Sequence, residues 1–311
     1  MCGSLHDQGQ EKHVSQRQDI LKRRKAVGNI HTVTRTMQFV ASSRFAQAQR
    51  LATTSHAYTV KLAETVGSLL ARNGGGVSHP LLTPVNPDAP VVLVSLSSNR
   101  GLCGAYNNNV TAMTQHRRQQ LIDSDRDVSL WTIGRKVSAA FRRDGIVPQA
   151  DYDTFDSLPK REIVRRVTQR LVDAFLQGEC SAVEIVYTQF LSPSQQQASV
   201  AALVPIADLP HSHTPSGLLE TPGAFEMVGG AEMILGRLIP EMIHTHMWQC
   251  FADALAGEHA QRYRAMQQAN DNAEDMTKEL TLKANALRQD QITTELSEIV
   301  GGRMGLETAE E

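Results

Sequence analysis

Proline is absent from the first 79 residues of this 311-residue chain, and between residues 10 and 73 glycine occurs only at Gly28 and Gly67. Nothing in that stretch stops a helix. Aromatic residues make up only 5% of the chain. A single large core uses more Phe, Trp and Tyr, so part of the chain is expected to be extended and thin. No apolar stretch approaches the roughly 20 residues needed to cross a bilayer. Residues Met1 to Gln18 are polar and lack the apolar segment of a secretory signal, which points to a cytoplasmic protein. The four cysteines (Cys2, Cys103, Cys180, Cys250) are scattered without a CxxC pair, so neither structural zinc nor a disulfide framework is expected. GxxxxGK[ST] and GxGxxG are both missing; Gly101 and Gly104 form only a GLCG turn. That speaks against a bound nucleotide, and no cofactor is expected.

What is present reads as helix, α/β domain, helix. A long helix is expected over residues 16–72, roughly 85 Å at 1.5 Å per residue. It closes at Asn73-Gly74-Gly75-Gly76. A weak heptad runs along it through Ile30, Thr34, Met37, Ala41, Arg44, Ala48, Leu51, Ser55, Tyr58, Leu62 and Leu69. Val91 to Leu96 is a near-continuous apolar run, the mark of a strand buried on both faces. After it come a turn at Ser98 to Gly104 and a helix near 105–122. A strand over Val128–Ile133, a short helix over 135–143, a helix over 160–177 and a strand pair at 183–189 and 198–204 complete an α/β domain with a mainly parallel sheet. Residues 205–224 are rich in Pro, His, Ser and Thr and read as a loop. Pro240 suits the first turn of a second long helix, about 60 residues, closed by Gly301-Gly302. Its seam is read as Ile243, Met247, Phe251, Leu255, Met266, Ala269, Ala273, Met276, Leu280 and Leu287. The expected division is a polar, disordered extension over 1–18, a coiled-coil helix over 19–74, an α/β domain over 90–224, a coiled-coil helix over 225–306 and an acidic tail over 307–311.

The net charge of −2 conceals an asymmetry. Residues 17–50 carry eight Lys/Arg and one acid, whereas residues 256–311 carry eleven acids and six Lys/Arg. Solvated helix faces, helices paired with each other, and helices lying on charged partners all fit this pattern. Cys103 near Arg100 could have a lowered thiol pKa, but no His/Asp set accompanies it, so a small buried residue at a strand–helix junction is favoured. His211/His213 and His244/His246 stand two residues apart, a spacing that splits helix faces, with no further ligand to complete a metal site. Asn285, Arg288, Gln289 and Thr293 cluster near the end of the second helix. They form either a solvated end or a docking patch in which Arg288 takes a carboxylate.

Three segments resemble the gamma subunit family of F-type ATP synthases. The first runs from Ile20 to Val27 and from Val33 to Ser42, with its basic start and Thr36-Met37. The second is Ser98-Asn99-Arg100-Gly101-Leu102-Cys103-Gly104-Ala105 with Asn107. The third runs from Glu258 to Met266 and continues through Asn270 to Ala273, Leu280 to Leu282, Asn285, Arg288-Gln289, Ile292-Thr293 and Glu298 to Gly302. Together they span about residues 19–306, in order and at family spacing. Asn99 stands where an acid is usual, Ala105 where glycine is usual and Ala286 where a basic residue is common. Lys283-Ala284 replaces an apolar-aromatic pair.

The resemblance implies a long antiparallel coiled coil of the N- and C-terminal helices over a Rossmann-like α/β foot domain. It implies a central rotor shaft with no catalytic site of its own, peripheral to the cell inner membrane on its cytoplasmic side. The implied partners are the α and β subunits (as an α3β3 hexamer), the epsilon subunit and the membrane c-ring. Arg288, Gln289 and Thr293 would contact a β-subunit catch loop, with Met37 on the facing helix at that level. Phe225 and Glu226 would lie near the rotor ring, and Arg100, Gly101, Cys103 and Gly104 would form the foot-domain turn. A coiled-coil adaptor explains both helices but not the three motifs. A small α/β enzyme with helical arms would need a pocket of convergent polar groups that the sequence does not offer.

Overall fold

The computed structural model describes residues 3–72, 79–153, 159–206 and 231–307. Helix α1 runs Gly3–Arg72 and helix α5 runs Ala231–Glu307. Between them lie β1 (Val91–Leu96), α2 (Tyr106–Asp123), β2 (Val128–Ile133), α3 (Arg135–Arg143), β3 (Ala150–Tyr152), α4 (Arg161–Leu176), β4 (Ala182–Phe190) and β5 (Gln196–Val204). The chain divides into two compact units. One is built from residues 1–40 and 265–311, the other from residues 41–264. The antiparallel helix pair and the α/β domain agree with the expected fold class.

In the larger unit the sheet order is β3-β2-β1-β4-β5. Strands β1 to β4 are parallel neighbours, and β5 returns antiparallel beside β4 through a tight loop at 191–195. Parallel strands need helices on both faces, and β1 is buried at all six positions accordingly. Its alternate residues face opposite ways. Val92, Val94 and Leu96 pack with Val164, Leu171 and Phe175 of α4 and with Ile239, Ile243 and Met247 of α5. Leu93 packs with Val110 of α2, and Leu130 of β2 with Val137 and Phe141 of α3. After β2 the chain turns at Gly134, φ 104°, where a Cβ would sit 2.3 Å from the Ser97 carbonyl oxygen. Only glycine meets both demands.

Several element bounds differ from the sequence expectation. Helix α1 begins at Gly3, so the stretch 3–18, expected to be disordered, is helical. Helix α5 begins at Ala231 and carries Pro240 within it, not at its start. A buried row of Leu235, Ile239, Met242 and Ile243 brackets the proline. Core burial there outweighs the roughly 3 kcal/mol that an internal proline costs a helix. Gly301 and Gly302 do not end α5, since each costs only about 1 kcal/mol relative to alanine. The three-residue strand β3 had no sequence signal of its own; it exists because β2 offers it a partner edge.

In the smaller unit α1 and α5 run antiparallel. Asn270 accepts a hydrogen bond from Thr34 Oγ1 and donates Nδ2 to Gln38 Oε1 at 2.6 Å. Asn270 is buried, and satisfying both ends of its amide fixes the register, as a polar seam residue does in a coiled coil. Along α5 the less exposed positions include Met266, Asn270, Ala273, Thr277, Leu280, Ala284 and Leu287, which follow a heptad, with Ala269, Thr281 and Gln291 also partly covered. Along α1 they include Thr34, Gln38, Ala41, Phe45, Ala48, Ala52, Ser55, Thr59, Leu62, Val66 and Leu69. Ile30, Tyr58 and Met276, read as seam residues, are exposed by half or more. Among the described residues, every ion pair in this unit lies within one helix.

Candidate functional site

The helix pair buries very little. Among its described side chains only Met266, Asn270, Ala273 and Ala284 are buried. Ten large apolar residues of the same unit are exposed, led by Leu282 (71%), Ile299 (68%) and Phe39 (67%). That much exposed apolar surface on so thin a unit points to contact with other chains. Arg288, Gln289 and Thr293 share the exposed part of α5. Thr293 Oγ1 donates to the Gln289 carbonyl at 2.9 Å, which spends the hydroxyl on its own helix. No carboxylate pairs with Arg288 among the described residues. Its fork is open to an acidic partner.

Met37 does not join them. The pairing of Thr34 and Gln38 with Asn270 puts Met37 at the level of Asn270. Arg288 lies eighteen residues further along α5, about 27 Å at 1.5 Å per residue. The expectation that Met37 faces Arg288 and Gln289 is therefore corrected: shared membership of two helices did not set their register. Phe225 and Glu226 fall outside the described residues.

The foot-domain turn is a second polar centre, wholly within the larger unit. Ser98 Oγ lies 2.6 Å from the Arg100 carbonyl and 2.9 Å from Asn107 Oδ1. Asn107 Nδ2 donates to Cys103 Sγ at 3.1 Å. Burial pushes the Cys103 thiol up, against the opposing pull of Ser98 and Arg262, so proximity to Arg100 does not activate it. Asn99 uses both ends of its amide, donating to the Asp153 carbonyl at 2.7 Å and accepting from the Arg135 backbone N–H at 2.9 Å. An aspartate here would set an anion against that carbonyl, which explains why asparagine suits the position.

The turn is held by α5. Arg262 donates to the Gly101 carbonyl from Nε at 3.4 Å and Nη2 at 3.3 Å, and pairs with Glu258 at 2.7 Å. Its Nη1 donates to His259 Nδ1 at 3.2 Å. Burial raises the Glu258 carboxyl, partly countered by Arg262. Burial and the neighbouring Arg262 and Arg44 hold His259 down to about 4. Gly104, φ 56°, passes over Gln261, and a Cβ at Gly257 would meet Thr188 at 2.9 Å. Sequence reasoning placed Glu258 to Met266 in a motif without giving Glu258, His259 or Arg262 a task. The i, i+4 spacing of Glu258 and Arg262 was the available signal.

Towards the N-terminus of α5, Gln249 Nε2 donates to the Ala52 carbonyl at 3.2 Å and to Asp253 Oδ1 at 2.8 Å. Burial raises Asp253 to about 7, although Gln249 and the Phe190 backbone oppose it. Among the described residues no helix is long and apolar enough to cross a membrane.

The comparisons with known proteins agree with one another. A family model described as ATP synthase matches residues 16–306. An ATP synthase gamma chain from Rhodopirellula baltica is 33% identical over 288 residues, covering 92% of this chain and 97% of its own. One from Symbiobacterium thermophilum is 33% identical over 293 residues, covering 93% of this chain and 97% of its own. Among solved structures, the Euglena gracilis mitochondrial ATP synthase assembly of OSCP, F1 and c-ring contains a chain with TM-score 0.63 at 12% identity, covering 96% of both chains. The central stalk and c-ring of Tetrahymena thermophila mitochondrial ATP synthase contains one with TM-score 0.55 at 16% identity, covering 76% of this chain and 99% of that one.

Proposed function

Since the chain belongs to the ATP synthase gamma chain family and is a rotor-shaft subunit of an F-type ATP synthase, we propose that it transmits torque by docking its helix pair. In this proposal residues 16–40 and 265–300 turn within a hexamer of α and β subunits. The foot domain meets the epsilon subunit and a membrane c-ring, driven by ion flow. The chain acts from the cytoplasmic face of the inner membrane as a non-catalytic subunit. Its work is differential contact: at each angle it must favour one conformation of a catalytic β subunit over the others, since a shaft that touches all states equally shifts none of them.

The observation that carries this proposal is the exposed apolar surface of the helix pair, on a unit too thinly packed to need it for folding. Arg288 and Gln289 provide the polar grip on a carboxylate-bearing β loop, with Thr293 beside them. Met37 contacts a partner at the level of Asn270 instead. Phe225 and Glu226 meet the rotor ring; Glu226→Lys should loosen coupling, and unchanged ion pumping would remove that assignment.

The test is co-expression with the neighbouring α and β subunits and purification through a tag on this chain. One copy per three α–β pairs is expected, with ATP turnover reduced in Arg288→Ala/Gln289→Ala. Failure to retain a hexamer on the tag would overturn the proposal.

A further inference from the structure

The seam where α4 meets α5 in the larger unit carries polar atoms that the fold leaves without partners. Arg161 lies over the Trp248 indole, its guanidinium carbon 5.2 Å from the ring centroid. One turn on, Arg165 lies beside His244, close enough for its charge to help hold that imidazole down, after burial. The two pairs are matched: positions i and i+4 on α4 face positions i+4 and i on α5. Trp248 is 9% exposed, and its Nε1 is buried with no hydrogen-bond acceptor among the described residues. His244 Nδ1 is likewise buried without a partner. An indole N–H is donor-only, so its missing partner must be an acceptor. Unmet buried polar atoms are uncommon, and two from adjacent turns of one helix call for an explanation.

We propose that this seam receives an acidic side chain from another protein subunit, a carboxylate gripped by Arg161 and Arg165 against the Trp248 ring. Three features fit that occupant. Arg161 rests against a ring and loses less freedom on binding than a free side chain, so its fork is partly presented in advance. The guanidinium fork matches a carboxylate in two parallel hydrogen bonds. Arg161 lies at Trp248 and Arg165 at His244, with Glu241 the acid acting on His244 among the described residues. Two cations against one acid suit one carboxylate. The same excess is small for holding an anionic membrane, where each cation contributes only about 1 kcal/mol. The site lies in a different unit from Arg288 and rests on none of the contacts proposed there.

The experiment uses the full chain carrying Trp131→Phe, which leaves Trp248 as its one indole. A short polyglutamate peptide is added at low salt and tryptophan emission is followed. A saturable change is expected, weakening as salt rises. Arg161→Gln/Arg165→Gln should weaken it about tenfold, whereas Arg166→Gln, on the other flank of α4, should leave it within about twofold. Both arginines are exposed, and circular dichroism should show both variants folded. No saturable change, or equal weakening by Arg166→Gln, would overturn the site. So would a response to phosphatidylglycerol vesicles or inorganic phosphate as strong as the response to peptide, since the occupant would then be a lipid headgroup or a free anion.

Discussion

The two units spend the same kind of sequence in opposite ways. In the unit of residues 41–264, apolar side chains are turned inward and several polar groups that follow them inside are paired, Glu258 with Arg262, Asn99 with Asp153 and Arg135; Trp248 and His244 at the α4–α5 seam are exceptions. In the unit of residues 1–40 and 265–311, a polar seam at Asn270 holds two helices in register while leucine, isoleucine and phenylalanine face outward. Burial in the first case specifies a fold. Exposure in the second leaves most of the apolar contact to be made elsewhere. The contrast predicts that substitutions in the larger unit are felt by the isolated chain, whereas those in the helix pair are felt mainly by an assembly.

The largest effect tests the core. Phe175 is fully buried between α4 and the sheet. Phe175→Ala should cost about 3–5 kcal/mol in denaturant unfolding, through lost burial and the cavity left behind. A cost below about 1 kcal/mol would mean that the larger unit is packed as loosely as the helix pair. Next comes the paired polar interior. Arg262→Ala leaves Glu258 buried without its cation and the Gly101 carbonyl without its donor. The expected loss is about 3 kcal/mol, and Glu258→Gln in the same background should recover part of it by removing the stranded charge.

A smaller effect comes from pH, because two buried groups oppose each other. Asp253 titrates near 7 in the fold and near 4 when unfolded, so its contribution to stability is full below about 4 and lost as pH rises to 7. His259 titrates near 4 in the fold and near 6.5 when unfolded. Its contribution is present above 6.5 and lost as pH falls to 4. Between pH 4 and 6.5 the two slopes offset each other. Asp253→Asn removes one of them. Stability of that variant should fall more steeply than wild type below pH 6.5, and should exceed wild type at pH 8, as read by chemical unfolding across the range. Parallel curves would show that Asp253 is not raised.

Much of this architecture was legible in the sequence, and the failures have physical causes. The two helices, the buried run at β1 and the turn after it follow from periodicity and from missing helix breakers. The heptad was half recovered. One row (Thr34, Ala41, Ala48, Ser55, Leu62, Leu69) is correct; in the other, Leu51 does pack against the alanines of α1 and α5, whereas Ile30, Arg44 and Tyr58 are exposed. A spacing of 3.5 residues allows a step of three or four, and apolar side chains attracted the choice. Here the seam mixes polar and small residues with a few large apolar ones, while other large apolar residues of the smaller unit face out, a pattern that belongs to the docking surface itself. Met37 was set at the wrong level for a related reason. Which α1 residue meets which α5 residue depends on one buried amide, Asn270, and a periodic pattern carries no such information. The seam of Arg161, Arg165, His244 and Trp248 was invisible because its two helices lie far apart in the chain.

The smallest expected effect on the isolated chain sharpens the comparison most. Leu282 and Ile299 are among the most exposed large side chains of the helix pair. Leu282→Ala/Ile299→Ala removes little buried area and keeps helix formers in place, so each change should alter unfolding by no more than about 0.5 kcal/mol. If those side chains exist for a partner, the same double variant should retain fewer α–β pairs on tag purification and turn over ATP more slowly when reconstituted. The ratio of the two effects is the informative quantity. A truncation that destabilises the isolated chain by several kcal/mol would mean that the pair folds on those residues and the outward face is not free. One that leaves both folding and assembly unchanged would move the docking surface elsewhere on the pair. Only a silent change in folding joined to a loss in assembly fits a helix pair whose apolar surface is completed by its neighbours.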